Sequence, residues 1–370
     1  MSQSNNSKFM QKIIFVLMYI ITTMYVLMFV YILLDFFGIS NEQNIPKIFA
    51  KTSKTVIKPE NQELKKENNI DNIIEVYDKN EVSSNTFLYY DQLDEYSKII
   101  YEEIAKNLDK MKSGTYIIDF EKKFNNLLNE QHGEERLKDS FNFAINAISL
   151  DKPEVFYIDI SKVCLFLEKT NNIYKTTYRV KIGPEENETY LNQSFYSEVD
   201  VNKAIDIVNS KKDIIKSKLS GTIENQIKMV HDYLVDNIEY DTTMSQNNIY
   251  DIYGALVNKK VVCEGYARTF KYLMDNLNIP CVIVYGTGTN GNGKSEKHAW
   301  NYVKIDSNWY AIDVTWDDPV ILENKKNDDI TRYRYYLKGS ENFFVDHVED
   351  RKIVTNVLFK YPIISTQNYG

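Results

Sequence analysis

Three short stretches decide the fold of this chain: VVCEGYARTF at Val261–Phe270, KHAWNYVKI at Lys297–Ile305 and WYAIDVTWDDP at Trp309–Pro319. After Cys263, apolar side chains recur at helical spacing, whereas the two valines before it cannot belong to the same stripe. The first stretch therefore predicts that Cys263 begins a helix. A thiol at a helix N-terminus is favoured as the thiolate, which is the form of cysteine that attacks carbonyl carbon.

The second and third stretches are alternating runs of strand-forming residues, and the Asp-Ser-Asn tripeptide between them at residues 306–308 consists of turn formers. They predict an antiparallel hairpin. If two of the three residues form the loop, His298 and Asp313 lie on the same face. With residues 306–307 as the loop the two are diagonal neighbours, with Cα atoms about 7–8 Å apart. A three-residue loop without a bulge would place them on opposite faces.

These three side chains match the needs of thiol-dependent acyl transfer. Cys263 would be the nucleophile, His298 its base, and Asp313 the group that fixes the imidazole tautomer and steadies its positive charge. The alternative for any single cysteine is a small apolar core residue. Cys164 in VCLFL and Cys281 in PCVIVYG fit that alternative, because each lies in an apolar run.

The other histidines have structural interpretations. His231 borders the apolar stripe of a predicted helix, and His347 in FFVDHVED is likewise read as a buried structural residue. His132 lies in a polar stretch, which favours a solvated ring. The sequence has no C-x-x-C or H-x-x-x-H spacing, so we predict no metal site and no cofactor.

The order of the three motifs resembles the transglutaminase-like superfamily, a branch of the papain-like cysteine enzymes. The resemblance is greatest to bacterial members related to the transglutaminase-like domain of cytokinesis protein 3. Further matching pieces are IKMVHDYLVDNIEYD at Ile227–Asp241 and YGALVNKK at Tyr253–Lys260, and a weaker match extends the resemblance to about Phe87–Val348. It implies the nucleophile, base and orienting roles assigned above. It does not specify the substrate, since members include cross-linkers, peptidases, amidases and proteins without demonstrated catalysis.

Papain-like enzymes usually supply a second oxyanion donor from a side chain upstream of the cysteine, and no glutamine occupies the few positions before Cys263. Tyr253 is the candidate through its hydroxyl, with a core or rim tyrosine as the alternative. The predicted substrate cleft has an aromatic lining: Tyr266, Trp300, Trp309 and Trp316.

A charge-free apolar run, IIFVLMYIITTMYVLMFVYILL, occupies residues 13–34. At about 1.5 Å per residue it can cross roughly 30 Å of hydrocarbon, so it predicts a transmembrane helix over residues 13–37. A cleaved signal peptide is the alternative, although its apolar region is shorter, about 7–15 residues. Lysines just before the run predict that residues 1–12 are a cytoplasmic tail. The expectation is a single-pass membrane protein whose C-terminal body is extracytoplasmic.

Residues 38–86 are dominated by Asn, Lys, Glu, Ser and Thr, which predicts a flexible tether. Helical patterns follow, and then strand-like runs: VFYIDI at 155–160, CLFLEK at 164–169 and YKTTYRVKI at 174–182. We expect an α+β protein with a helical and mixed module over residues 87–200 and a transglutaminase-like, papain-like catalytic domain over residues 201–370, starting with a helix at Val201–Leu219. In that domain the nucleophile helix packs on an antiparallel sheet.

Charge excludes one class of partner. The chain has 44 lysine and arginine residues against 52 aspartate and glutamate residues, a net charge of −8, with basic residues scattered among acidic ones. No phosphate-binding face is evident, so we predict no nucleic-acid partner. Three cysteines are too few for a disulfide framework.

The predicted function is membrane-anchored acyl transfer by a cysteine nucleophile at amide bonds of a protein or peptide substrate, including cell-wall peptides. Hydrolysis by a peptidase or amidase is favoured over cross-linking, because nothing in the sequence identifies an amine site. Two alternatives remain open. One is a non-catalytic module that binds peptide or glycan at the cell surface. The other is an assembly scaffold in which the anchor is the functional part.

Overall fold

The structure is a computed structural model, and it describes residues 16–29, 51–59, 87–172, 175–318, 329–350 and 359–370. These residues fall into two units. The smaller comprises Met1–Thr52 with Thr170–Thr176, and the larger comprises Ser53–Lys169 with Thr177–Gly370. All the residues of the site discussed below belong to the larger unit.

The helices of the described residues are as follows: α1 (residues 16–29), α2 (Glu95–Met111), α3 (Asn125–Leu128), α4 (Gly133–Asp151), α5 (Glu198–Lys216), α6 (Ile223–Asn237), α7 (Cys263–Asp275), α8 (Asp329–Arg332) and α9 (Ser340–Phe343). The strands are as follows: β1 (Lys51–Ile57), β2 (Ile118–Asp119), β3 (Cys164–Asn171), β4 (Thr176–Gly183), β5 (Glu239–Tyr240), β6 (Lys260–Val261), β7 (Cys281–Thr289), β8 (Ser295–Ile305), β9 (Asn308–Ile312) and β10 (His347–Glu349).

Two four-stranded sheets organise these strands. The first has the order β1-β3-β4-β2. The second has the order β10-β7-β8-β9, and each of its neighbouring pairs is antiparallel. Strands β5 and β6 form a separate parallel pair. The mixture of helices with antiparallel sheet confirms the predicted α+β class.

Helix α7 packs against β7 and β8 of the second sheet. The buried Asn301 on β8 fixes this packing, because its amide nitrogen donates to the carbonyl oxygens of Ala267 on α7, at 3.0 Å, and of Val282 on β7, at 3.2 Å. The hydrogen bonds satisfy a buried polar group and tie the helix to the sheet at one position. The start of α7 is therefore held at a defined place beside β8.

The predicted hairpin is confirmed. Strand β8 ends at Ile305 and β9 begins at Asn308, so residues 306–307 form the loop, with Asp306 in the left-handed region at φ +54°. Asn301 pairs with Ile312 in the β8–β9 ladder. Continuing this register places residues 298 and 313 diagonally on one face, as the two-residue loop predicts.

The helical segment that precedes the second sheet is anchored to it by a buried side chain. Tyr89 has no exposed surface, and its hydroxyl donates to the carbonyl oxygen of Ile283 on β7. The Asp151 carboxylate at the end of α4 accepts hydrogen bonds from the backbone N–H groups of Tyr89 and Tyr90, each at 2.9 Å. The predicted boundary between residues 200 and 201 stays a prediction.

The prediction of a membrane-spanning helix over residues 13–37 is wrong. In the described part of the chain, no helix combines the length and the apolar character needed to cross a bilayer. Helix α1 covers residues 16–29 of the described chain. Residues 13–15 and 30–37 of the predicted span, and the predicted tail at 1–12, lie outside the described residues. The predicted single-pass localisation is corrected accordingly.

The prediction of a flexible tether fails at Lys51–Ile57, which form strand β1 beside β3. The segment KTSKTVI carries four β-branched side chains, which favour a strand. Its lysines suit an edge strand that faces solvent. Residues 38–50 and 60–86 of the predicted tether lie outside the described residues.

One of the three predicted strands is also absent. The stretch VFYIDI forms short 3-10 turns and a single bridge from Ile158 to Leu191. Its two neighbours, CLFLEK and YKTTYRVKI, form β3 and β4 as predicted. Pro153 begins the first of those turns, where its fixed φ favours a helical turn over an extended strand.

Candidate active site

Cys263 is the first residue of α7, as the sequence pattern predicts. Its side chain is half-buried, whereas Cys164 and Cys281 are 1 % and 2 % exposed. Burial raises the pKa of both of those thiols. The first N–H groups of a helix lack intrahelical acceptors and carry the positive end of its dipole.

His298 and Asp313 form a buried pair. Nε2 of His298 lies 2.7 Å from Oδ2 of Asp313, and the two residues are 4 % and 0 % exposed. Burial lowers the pKa of His298, but the charge of Asp313, its hydrogen bond and the neighbouring Cys263 outweigh this and raise the pKa to about 10. The imidazole is therefore held as the imidazolium at neutral pH.

Cys263 is among the neighbours that raise the pKa of His298, so its thiol lies near the imidazole. Because Nε2 of His298 is engaged by Asp313, Nδ1 is the nitrogen left to exchange a proton with the sulfur. The structure thus brings together the three residues that the sequence nominates. They lie in the order thiol, imidazole, carboxylate.

The Asp313 carboxylate accepts four hydrogen bonds. Oδ1 accepts from the backbone N–H groups of Thr315, at 3.0 Å, and Trp316, at 3.2 Å. Oδ2 accepts from His298 and, at 3.2 Å, from Nε2 of His347. Burial alone raises the pKa of Asp313, but His298 and His347 lower it below the usual range of a carboxyl group.

His347 is buried, as the sequence predicts, but its contact with Asp313 was not predicted. It is fully buried on β10, with Nε2 facing Asp313 and Nδ1 2.8 Å from Oδ1 of Asp346. The stretch FFVDHVED holds no local signal for this arrangement, because the contact depends on β10 pairing with the edge of β7 opposite Gly288. The only local indication is Asp346, the preceding residue, whose carboxylate can hydrogen-bond to the imidazole.

An aromatic wall encloses the imidazole. The ring of Trp316 stacks on that of His298, with centroids 4.9 Å apart, and Trp300 lies 6.0 Å away. Gly286 sits opposite His298 in the β7–β8 ladder, and a Cβ there would meet the Trp300 ring at 2.4 Å and the Val348 carbonyl oxygen at 2.1 Å. The lack of a side chain at this position therefore lets both neighbours pack beside the histidine.

Two of the predicted cleft residues do not line a cleft. Tyr266 and Trp300 are each 1 % exposed, and the Tyr266 hydroxyl donates within the core to Asp318, at 2.7 Å, and to the carbonyl oxygen of Ile238. Trp316 is also buried, against His298, and Trp309 is half-buried on β9. Alternation along a strand assigns side chains to its two faces, but it does not show which face is covered by other elements.

Tyr253, the predicted oxyanion donor, lies in an aromatic cluster. The ring of Tyr253 is stacked on Phe156, at 5.8 Å, and meets Phe195 edge-on at 5.4 Å, so it belongs to an aromatic cluster. Tyr240 lies on the strand beside the segment that leads to Cys263. It pairs with Val261, two residues before Cys263, in the parallel β5–β6 ladder.

The titration of Tyr240 reflects this position. Burial raises its pKa, and the charges of Cys263, Glu296 and Asp313 raise it further. Tyr240 therefore belongs to the electrostatic surroundings of Cys263 and Asp313. The sequence holds no signal for this, because a two-residue strand pairs non-locally and has no measurable periodicity.

The remaining histidines keep structural positions. His231 is fully buried, with Nδ1 3.1 Å from Asp232 and Nε2 3.1 Å from Asp317. His132 is exposed and lies 3.1 Å from Glu135.

One set of described side chains could hold a metal ion: His298, Asp313 and His347, whose ligand atoms lie within 4.8 Å of one another. In the structure Nε2 of His298 and Nε2 of His347 each bond directly to Oδ2 of Asp313. The ligand atoms are therefore already hydrogen-bonded to one another. The donor set suits a borderline metal such as zinc, but it would have to exchange two buried hydrogen bonds for coordination.

A cavity of about 830 Å³ adjoins the residue after the candidate nucleophile. Its lining includes Glu264 and Arg268 from the first turns of α7 and the buried Asp251. Arg268 is fixed by Glu264 at 2.8 Å and by the Ser149 hydroxyl at 2.8 Å. Burial raises the pKa of Asp251 to about 7. The cavity thus presents rigid polar groups beside α7.

The part of the chain that contains this site is similar to known proteins. Residues 210–314 match the family model described as the transglutaminase-like superfamily. Kyphoscoliosis peptidase of Mus musculus is 26% identical over 160 residues, which cover 37% of this chain and 24% of that protein. The Homo sapiens protein of the same name is 25% identical, covering 34% of this chain and 21% of its own length. The chain therefore spans about a quarter of the length of these curated relatives.

Two solved structures are similar over parts of their lengths. A protein described as a TGase has 16% sequence identity and a TM-score of 0.30, covering 44% of this chain and 46% of its own. The periplasmic domain of TgpA from Pseudomonas aeruginosa, bound to ethylmercury, has 12% identity and a TM-score of 0.24, covering 40% of this chain and 58% of its own.

The segment that matches the family model contains the start of α7, strand β8 and the turn after β9. It therefore includes Cys263, His298 and Asp313. Over this segment the chain is similar to the transglutaminase-like superfamily.

Proposed function

We propose that the protein is a cysteine-dependent amide hydrolase that acts on peptides or proteins. The observation that supports this best is the buried His298–Asp313 pair, with Cys263 at the start of α7 near enough to raise the pKa of His298. A thiolate beside an imidazolium whose other nitrogen is held by a buried carboxylate is the arrangement that nucleophilic acyl transfer requires.

In the first half-reaction the Cys263 sulfur attacks the amide carbonyl carbon, and the carbonyl oxygen takes up the negative charge. The backbone N–H of Cys263 and the hydroxyl of Tyr240 would donate hydrogen bonds to that oxygen. His298 then gives its proton to the leaving nitrogen, the C–N bond breaks, and an amine or ammonia departs. A thioester on Cys263 remains.

In the second half-reaction His298, now neutral, removes a proton from water, and the hydroxide attacks the thioester carbon. The C–S bond breaks, the carboxylic acid is released, and the sulfur regains the thiolate form beside the imidazolium. A lysine amine in place of water would give cross-linking. We favour water, because no described group marks a second, amine-binding site beside Cys263.

We infer that the substrate is a peptide segment and that it enters through the cavity beside α7. The volume of about 830 Å³ falls within the range of ligand sites, about 300–1,000 Å³. Glu264, Arg268 and Asp251 in its lining could bond to backbone amides and carbonyls of an extended chain. The kyphoscoliosis relatives are named as peptidases, which is consistent with this substrate class.

The test compares Cys263→Ala with the matched variant Cys164→Ala, which removes a buried thiol of β3. Release of free carboxylate and amine from a library of short peptides is measured for both. We expect no turnover by Cys263→Ala and near-wild-type turnover by Cys164→Ala, with equal far-UV circular dichroism. Equal turnover by both variants would refute the proposed nucleophile. Tight peptide binding by a wild-type protein that never releases product would instead favour a binding module.

A further inference from the structure

One oxygen atom of Asp313 serves two histidines. Oδ2 lies 2.7 Å from Nε2 of His298 and 3.2 Å from Nε2 of His347. The other oxygen is already held by two backbone N–H groups. A carboxylate offers about four acceptor sites, so His347 fills the one that the hairpin backbone and His298 leave open.

His347 itself has no freedom to turn. Nδ1 is bonded to Asp346 at 2.8 Å, the ring stacks on Phe343 with centroids 4.1 Å apart and an angle of 23°, and Trp316 lies 4.6 Å away. Its side chain has no exposed surface. A ring clamped at both nitrogens and on its faces can transmit a fixed position to the carboxylate it touches.

The charges around His347 match this arrangement. Burial lowers its pKa, but the hydrogen bonds to Asp313 and Asp346 outweigh burial and raise it, while the nearby charge of His298 lowers it. Both ring nitrogens face carboxylates, so both act as donors when the ring is protonated. Asp346 is fixed in turn by the Tyr335 hydroxyl at 2.7 Å and lies 3.7 Å from Arg334.

We propose that His347 is a positioning residue that locks the Asp313 carboxylate in the orientation that holds His298 against Cys263. Its effect passes through Asp313, and its own position is set by Asp346 and by the pairing of β10 with β7. The site is then a chain of five groups: Cys263, His298, Asp313, His347 and Asp346.

Two substitutions separate positioning from simple filling of space. The amide nitrogen of Gln can replace Nε2 of histidine, so His347→Gln keeps a donor toward Asp313. The amide nitrogen of Asn can replace Nδ1, so His347→Asn keeps the contact to Asp346 and loses the one to Asp313. Both remove the ring and its charge. A difference between them therefore reports the bond to Asp313.

The experiment measures the rate of iodoacetamide alkylation of Cys263 against pH in the full chain, with the modified cysteine identified by mass spectrometry. In His347→Asn we expect the onset of alkylation to move upward by about one pH unit or more, because an imidazolium that is no longer held in place stabilises the thiolate less. In His347→Gln the onset should stay close to wild type. On an amide substrate, kcat of His347→Asn should fall about tenfold to a hundredfold with KM unchanged.

His231 provides the matched control. It is equally buried, and each of its ring nitrogens also lies 3.1 Å from a carboxylate, but those carboxylates are Asp232 and Asp317. His231→Asn and His231→Gln should lower thermal stability as the His347 variants do, and leave the alkylation onset unchanged. An onset in His347→Asn equal to wild type, or a matching shift in the His231 variants, would overturn the proposal.

This inference rests on the proposed thiol chemistry, yet its main measurement needs no amide substrate. If the wild type hydrolyses no peptide while the His347→Asn onset still shifts, the proposed hydrolase activity fails and the positioning role stands. If peptides are hydrolysed and the onset does not shift, the positioning role fails alone. Melting curves recorded for every variant exclude an unfolded protein as the cause of either result.

Discussion

The indole of Trp316 stacks on the imidazole of His298, with ring centroids 4.9 Å apart and an interplanar angle of 27°. The backbone N–H of the same tryptophan donates to Oδ1 of Asp313 at 3.2 Å. Trp316 thus shields the His298 imidazole from water and helps to hold the Asp313 carboxylate that is bonded to it. Exclusion of water strengthens the ion pair between them, because the local dielectric is low.

Gly288→Ala tests this stacking. A Cβ at position 288 would lie 2.7 Å and 2.8 Å from two ring carbons of Trp316, so the indole must shift off His298. We expect the free energy of unfolding to fall by about 1–3 kcal/mol from overpacking, and kcat to fall by about tenfold to a hundredfold from the misplaced imidazole. Chemical denaturation and peptide hydrolysis measure the two effects.

The control for that variant is Gly291→Ala in the loop between β7 and β8, where a Cβ meets nothing within 4 Å. It should match wild type in stability and in kcat. If Gly288→Ala also matches wild type in kcat, the position of Trp316 does not govern the reactivity of His298.

The parts of the site that could be predicted are those set by local patterns. The helix start at Cys263 follows from where the apolar stripe begins, and the His298–Asp313 neighbourhood follows from the length of the 306–307 loop. Both depend on residues close in sequence, where side-chain periodicity fixes the faces of strands and helices.

The parts that could not be predicted depend on pairing between distant segments. Tyr240 lies beside the segment that leads to Cys263 only because β5 pairs with β6, and His347 reaches Asp313 only because β10 joins the edge of β7. These strands have two and three residues, which is too few for a periodic signal. Trp300 shows a related limit, since alternation groups it with His298 but cannot show that packing covers both.

Asp313→Asn should change the pH dependence of the reaction. The raised pKa of His298, about 10, keeps the imidazolium intact through neutral pH, so wild-type kcat/KM should fall only as pH rises through about 10. Removing the carboxylate charge removes the main cause of that shift, so the alkaline limb should move down toward about 6.5. We also expect kcat to fall by about a hundredfold to ten-thousandfold, because the ring loses its fixed tautomer.

The pH–rate profile of that variant is compared with Asp306→Asn, in the loop of the same hairpin. Asp306 has φ +54°, a conformation that asparagine adopts readily, so its profile should coincide with wild type. An unshifted alkaline limb in Asp313→Asn would show that Asp313 does not control the protonation of His298.

Tyr240→Phe should lower kcat by about a hundredfold to a thousandfold with little change in KM, because a donor to the oxyanion acts on the transition state. Tyr253→Phe is the matched control, since the Tyr253 ring packs between Phe156 and Phe195. Steady-state kinetics on one peptide substrate distinguish the two. Equal kcat values for both variants would remove Tyr240 from the mechanism, whereas a larger effect of Tyr253→Phe would restore the assignment made from sequence.

Tyr89→Phe should destabilise the larger unit without altering chemistry. The hydroxyl of Tyr89 donates to the Ile283 carbonyl oxygen on β7 in a fully buried position, so its removal leaves an acceptor without this partner. We expect a loss of about 1–3 kcal/mol in the free energy of unfolding and an unchanged kcat. Tyr196→Phe is the reference, because Tyr196 is 86% exposed. Identical urea midpoints for the two variants would show that the Tyr89 contact adds no stability.

Asp232→Asn should make stability less sensitive to acid. Burial raises the pKa of Asp232, but hydrogen bonds from His231, Lys228 and Tyr333 outweigh it and lower the pKa below the ordinary carboxyl range. Because the folded-state pKa is depressed, this stabilisation is present above the unfolded value of about 3.9 and is lost as pH falls through the folded value. At pH 7 we expect the variant to be less stable by about 1–3 kcal/mol, and the difference to shrink below about pH 4. Urea unfolding at both pH values measures it, with the exposed Asp206→Asn as control. A difference that stays constant with pH would contradict a depressed pKa at Asp232.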